Sequence, residues 1–495
     1  MRLLFDMVDR DPEDPVHNLV RKPLLSFWFS HPRHCVSLGV DNSFDVPPPL
    51  PRSTAGRGWP SSASGSGPTR TAHTRSSAAR LWGEGLTGRG LHDGPRAFCP
   101  CAGMRFPCTG VLGIDKPAIP RQSIHEQGIW RSWLRPGRTA DLTRCQARDQ
   151  WLYEDLTWPL IAGFASIGPI HDVPAHQPVT YDEILPGCFT QADRLVDMDA
   201  NHTEAHLCFP TFSRFCGQTF LEAKDRNLAL LCVQAYNDWM IDDWCGGAGR
   251  GRLIPLAIVP LWDAHLAAAE IRRCAAKGSK AVCFSEGPFR LGLPSIHSGH
   301  WDPFFEACNE TGTVINMHIG SSSALATTSA DAPLIVTVSL TAQYSQAALA
   351  DWLCSGVLAR YPRLKIALSE GQIGWMPYML ERLDFLWERN ASFDPALLQL
   401  VPEPPSSYAA GRVYGCVFDD VAGLEQRHHV GMGQIMFESD YPHAESSFPR
   451  SREVAEKLAA AGGLNDYETW QLVRGNAIQL YDLGRFGIET EYSAQ

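Results

Sequence analysis

The chain has 495 residues, 44% of them hydrophobic and 20% charged, with a formal net charge of -11 and a pI near 5.9. That acidic balance, without clustered Lys and Arg, excludes general binding to nucleic acid or to an anionic membrane surface. No apolar run approaches the roughly eighteen residues of a membrane span, and the opening MRLLFDMVDRD, broken by Asp6 and Asp9, is too polar for an export signal.

Residues 1–120 differ from the rest. GRGWPSSASGSGPTRTAHTRSSAARLWGEG is rich in Arg, Ser, Gly and Pro and carries neither helical nor strand periodicity, so disorder, or a stretch read out of frame, is expected there. A nucleic-acid tail would call for aromatic residues interleaved with the arginines throughout, a pattern that Trp59 and Trp82 at the two ends do not make. Cys99, Cys101 and Cys108 lack the C-x₂-C spacing of a zinc site. Most of the other cysteines sit in apolar strand-like or helical runs such as HLCFP and KAVCFSE. Reduced, buried thiols in a cytoplasmic protein are the expectation. Residues 121–150 form a junction without clear pattern, and 484–495 a tail.

From about Trp151 to Leu483, short apolar runs alternate with amphipathic stretches. In chain order the strand-like runs are HLCFP (206–210), RLIPLAIVP (252–260), KAVCFSE (280–286), TVINMHIG (313–320), LKIALSEG (364–371), YGCVFDD (414–420) and QIMFESDYP (434–442). Helices are expected between them. AKDRNLALLCVQAYNDWMIDD sets Leu228, Leu231, Ala235 and Trp239 near one face, and DAHLAAAEIRRCAAKG ends on a glycine. Asp302-Pro303 reads as N-cap and first helical position ahead of FFEACNETG, and QIGWMPYMLERLDFLWE aligns Trp375, Met379, Leu383 and Leu386. Strand and helix in alternation indicate an α/β fold, a (β/α)₈ TIM-type barrel with helices outside a parallel sheet. A doubly wound sheet is the alternative, but no Gly-rich first turn follows any run. Seven strands are visible. The first barrel strand, which should precede HLCFP, is missing from the pattern.

In parallel barrels the chemistry sits at the carboxyl ends of strands. Here those ends carry Glu286, His318, Glu370, Asp419, Asp420 and Asp440. Any one of the acids can instead be a helix cap or a solvated loop residue, a reading that weighs most on Asp419 and Asp420. His318 emerges at the tip of Val-Ile-Asn-Met and Asp440 at the tip of another strand. An imidazole with a carboxylate suits one divalent metal, Zn first, with Mn or Fe as alternatives. His443, after Pro442, would reach the mouth of the site and meet a substrate carboxylate, alongside Glu286 and Asp419. His202 and His206 flank a strand start and are not expected to share a metal. His428 and His429 are expected to face solvent.

The segments ADRLVDMDANHTEAHLCFPTF, RLIPLAIVPLWD, INMHIGSSS, YPRLKIALSEGQIGW, FESDYPH and VRGNAIQLYDL together resemble the amidohydrolase-related family of metal-dependent barrel enzymes. Within it they are most similar to the branch of aminocarboxymuconate-semialdehyde decarboxylase and resorcylate-type decarboxylases. The resemblance covers about two-thirds of the chain. It implies a metal held by an H-x-H, E-x-H or D-x-H pair on the first strand, by His318 on the fifth and by Asp440 on the eighth. Where the branch carries a catalytic His on the sixth strand, this chain reads Ser369-Glu370-Gly371, which leaves Glu370 or Asp440 as the catalytic acid. No first-strand pair occurs: GVLGIDKPAIP has Pro117 in the His place, and SIHEQGIW offers only His125, with Ser123 two residues earlier. The resemblance implies a carboxy-lyase or hydrolase for a small carboxylated cyclic or aromatic substrate, and pairing as a homodimer; the acidic composition is what sets nucleic acid and membrane aside as partners. The alternative is a catalytically inactive barrel that lacks the first-strand ligands.

Overall fold

The computed structural model describes residues 149–165, 172–443 and 445–492. His125, Cys99, Cys101, Cys108 and the expectations for residues 1–148 lie outside the described residues. Among the described residues, no helix is long and apolar enough to cross a membrane.

The chain enters on an antiparallel hairpin, β1 (Gln150–Tyr153) and β2 (Leu156–Pro159). Sequence reading did not foresee it. Its alternating Trp151 and Tyr153 are buried against Phe212 and Phe220, so its apolar face closes a second, smaller core that also holds Val233, Tyr236 and Met240.

Each of the seven expected runs forms a strand: β3 (His206–Leu207), β4 (Leu253–Ile254) with β5 (Leu256–Ala257), β6 (Ala281–Cys283), β7 (Val314–His318), β8 (Ile366–Ser369), β9 (Val413–Val417) and β10 (Ile435–Phe437). Pro255, with no N–H to give, divides the second run into β4 and β5. All pairings among these strands are parallel, in the orders β3-β4 and β5-β6-β7-β8-β9-β10. Each strand thus lies beside its neighbours in the chain. A doubly wound sheet would reverse its order at a switch point, and no reversal occurs here. The runs are apolar throughout because both faces are covered; every residue of β7 and β9 is buried.

Among the described residues, no strand pairs with the second edge of β3 or of β10. The two edges nevertheless approach each other. The Tyr441 ring, just beyond β10, stands 6.1 Å from the His206 ring on β3. The helix Gln191–Ala200 ties both: Asp197 accepts from the Tyr441 hydroxyl, and the Arg194 guanidinium lies 4.3 Å over the Tyr441 ring and 3.3 Å from His206 Nδ1.

Two helix details differ from expectation. In the helix Arg226–Asp238 the buried positions are Ala229, Cys232, Val233, Tyr236 and Asn237, whereas Leu231 is 45% exposed. The apolar stripe is therefore rotated by one residue from the expected face, because small Ala229 and Cys232 let the helix pack close and leave the bulkier leucines at the rim. Asp302 is the first residue of the helix Asp302–Thr311, not its cap; its carboxylate pairs with Arg360 at 2.7 Å. Asp263 does cap the helix Ala264–Ala276, accepting from the His265 and Leu266 N–H groups at 2.8 and 3.0 Å.

Candidate functional site

Parallel strands deliver their last residues to one edge of the sheet. At that edge β7 ends on His318, β8 leads into Glu370, β10 leads into Glu438 and Asp440, and β6 leads into Glu286. Ligand atoms of Glu370, Asp440 and His443 all lie within 4.8 Å of one another. Glu370 and Asp440 both hold left-handed backbone, with φ of 56° and 52°. Such conformations cost of order 1 kcal/mol or more in non-glycine residues, so the surrounding structure holds them in place.

His318 meets the trio through Glu370 rather than joining it. Its Nδ1 faces the Ile319 carbonyl at 2.7 Å and its Nε2 faces Glu370 Oε1 at 2.9 Å. Both partners accept, an arrangement that suits protons on both ring nitrogens, the imidazolium form. Burial opposes that charge. The Glu370 charge and hydrogen bond outweigh it and raise the His318 pKa to about 9. Burial likewise works to raise the Glu370 pKa, but the His318 charge and hydrogen bond prevail and hold it well below the usual carboxylate range. Phe215 stacks on the ring at 4.1 Å and Phe209 meets it edge-on at 4.7 Å, and together they wall it from water.

Asp440 Oδ1 lies 2.8 Å from His443 Nδ1, in a turn closed by the His443 N–H on the Asp440 carbonyl at 2.9 Å. Burial raises the Asp440 pKa, His443 offsets this in part, and the neighbouring Glu370 charge adds to it. Burial works against the His443 cation, but the hydrogen bond and charge of Asp440 raise its pKa overall. Two crowded carboxylates beside an imidazole repel each other until a cation or a proton separates them. That donor set of two oxygens and one nitrogen fits a divalent metal.

Glu438 escaped sequence reading. Its Oε2 accepts the Glu370 N–H at 2.6 Å, and burial with the Glu370 charge raises its pKa to about 7. The signal was present: in FESD, Glu438 directly follows β10, at the same strand tip that carries Asp440. Glu286 is buried, 4% exposed, with Oε1 accepting from the Gly320 N–H at 2.9 Å and the Ser322 hydroxyl at 3.1 Å.

The remaining candidates stand apart. Asp419 is exposed and takes a hydrogen bond from Gln372, outside the trio. Asp420 is a helix cap: it accepts from the Gly423, Ile373 and Gly374 N–H groups. His202, His428 and His429 are exposed. His206 is held neutral, its pKa lowered to about 3 by burial and then by Arg194. His443, expected to meet substrate, has a ring nitrogen within 4.8 Å of carboxylate oxygens of Glu370 and Asp440.

The sequence profile described as Amidohydrolase matches residues 172–483. No curated protein matches the chain. Similar solved structures include an amidohydrolase from Mycobacterium avium subsp. paratuberculosis, at 21% identity over 64% of this chain and 79% of that one, with a TM-score of 0.49. A 5-carboxyvanillate decarboxylase from Novosphingobium aromaticivorans, with bound manganese, is similar at 20% identity over 58% of this chain and 80% of that one, with a TM-score of 0.47. A 2,6-dihydroxybenzoate decarboxylase from Rhizobium is similar at 21% identity over 60% and 89% of the two chains, with a TM-score of 0.45. At such identities no reaction transfers from one chain to the other.

Proposed function

The chain belongs to the amidohydrolase family, and from that premise we propose that it is a divalent-metal-dependent carboxy-lyase or hydrolase acting on a small carboxylated cyclic or aromatic compound. The observation that carries the reading is the convergence of Glu370, Asp440 and His443 at the carboxyl edge of a parallel sheet, with His318 bonded to Glu370. Glu370, Asp440 and His443 would hold the metal. His318 could join them only by releasing its Nε2 proton and its bond to Glu370. An oxygen-rich set of this kind suits Mn²⁺ or Fe²⁺ at least as well as the Zn²⁺ expected from sequence. Bound there, the cation would supply Lewis-acid polarisation of a substrate oxygen.

The protein's own groups divide the proton work. Glu370, ionised by its pairing with His318, is unsuited to donate a proton near neutrality, and its depressed pKa makes it a weak base; its role is to hold charge on His318 and on the cation. The His318 imidazolium can donate, and Phe209 and Phe215 keep water from its ring. His443, hydrogen-bonded to Asp440 and 41% exposed, links the cluster to the outside. Purified protein assayed for manganese, iron and zinc, then for CO₂ release and for amide or lactone opening across a substrate panel, tests the reading. Metal near one equivalent together with either product supports it; neither metal nor turnover with any substrate refutes it.

A catalytically inactive protein is the second reading. It is favoured by one observation in the sequence: no H-x-H, E-x-H or D-x-H pair stands where a first barrel strand would precede HLCFP, Pro117 and Ser123 taking the places of a pair member.

A further inference from the structure

We propose that Glu286 is a ligand-recognition group whose carboxyl donates a hydrogen bond from Oε2 to a carboxylate oxygen of the substrate. The inference deepens the preceding reading and rests on it for the carboxylated substrate. Glu286 follows β6, whose Cys283 pairs with Asn316 of β7, so it stands one strand over from His318 at the same edge of the sheet. Its Oε1 is saturated by two donors, the Gly320 N–H and the Ser322 hydroxyl. Its Oε2 is buried and has no hydrogen-bond partner, and it is the one carboxylate oxygen so placed among the described residues.

The two oxygens are therefore unequal. An oxygen that already receives two hydrogen bonds is the carbonyl oxygen of the neutral acid, so the proton belongs on Oε2. Burial is the largest influence on Glu286 and raises its pKa to about 7, against hydrogen bonds from Ser322 and Gly320 and the charge of His318. The titratable groups facing it are His318 on β7, Cys283 on β6 and Cys216 in the segment after β3; burial holds both thiols protonated. None of them offers Oε2 an acceptor. A buried O–H left without a partner is costly. An ionised carboxylate is the strongest acceptor available to it, and O–H···O⁻ bonds are among the shorter and stronger hydrogen bonds. A second anion opposite an ionised Glu286 would be repelled, so the neutral form is the binding form.

Benzoate, which stays ionised throughout, is a direct probe for titration of the full-length protein by calorimetry from pH 6 to 8.5, with and without manganese. Affinity should fall roughly tenfold between pH 7 and 8.5 as the neutral fraction of Glu286 is lost. Glu286→Gln keeps the oxygen that takes two bonds and puts an N–H donor in the place of Oε2, so it should bind benzoate with little pH dependence. Glu286→Ala should lose about tenfold or more at pH 6.5. A purely structural Glu286 would give Gln and wild type the same pH slope, and that result overturns the proposal, as does wild type that fails to bind benzoate. Manganese affinity, measured separately, isolates the metal reading: no manganese binding beside an intact Glu286-dependent slope sinks that reading alone. Intact manganese binding with an unaltered slope in Glu286→Gln sinks this one alone.

Discussion

Replacing Glu370 by Gln isolates the electrostatic element at the centre of the site. Gln retains an oxygen that can accept from His318 Nε2–H and removes only the charge. In the metal-free protein the His318 pKa stands at about 9 against an ordinary 6.5. At about 1.36 kcal/mol per tenfold change, that difference corresponds to up to about 3 kcal/mol of folded-state stabilisation. It is a single interaction, seen also from Glu370's side and counted once. A raised histidine pKa stabilises fully below 6.5 and loses its effect as pH rises through about 9. The lowered Glu370 pKa adds the acid limit: the effect is present above the ordinary carboxylate range and lost as pH falls through the depressed value. The stability gap between wild type and Glu370→Gln should therefore be widest near pH 5 to 6.5 and close by about pH 10. Denaturant unfolding of chelator-treated proteins across that range measures it, with the His318 ring followed by NMR. A gap of constant size from pH 6 to 10 would refute the ion pair.

Asp440→Asn should weaken manganese binding by at least about tenfold, since it removes one of three donors that converge within 4.8 Å. In wild type, manganese affinity measured by calorimetry should rise with pH, because the raised pKa values of Asp440 and His443 mean that protons must leave before either can ligate. Phe305→Ala, in a fully buried position against Trp352 at 5.2 Å, should cost about 3–5 kcal/mol in denaturant unfolding. Asp263→Ala should cost about 1 kcal/mol in the same assay by leaving the His265 and Leu266 N–H groups uncapped, with manganese affinity unchanged.

The apolar runs named their strands because a parallel sheet covered on both faces needs uninterrupted β-branched and aliphatic side chains, and such runs are visible in one dimension. Parallel order followed from the helices between them. His318, Glu370 and Asp440 were legible for a related reason: the last residue of each run is where the chain turns polar. Which of these groups touch was not legible. Strand tips far apart in the chain meet only after the sheet has set their spacing, so the His318–Glu370 pair, the Glu438 contact beneath it and the place of His443 beside Asp440 waited on tertiary structure. Protonation waited with them. Whether an imidazole is a cation or a carboxyl keeps its proton depends on burial and on the nearest opposite charge, and those are properties of packed neighbours in space. By itself the chain determined which residues reach the edge of the sheet; folding decided their partners and their charge.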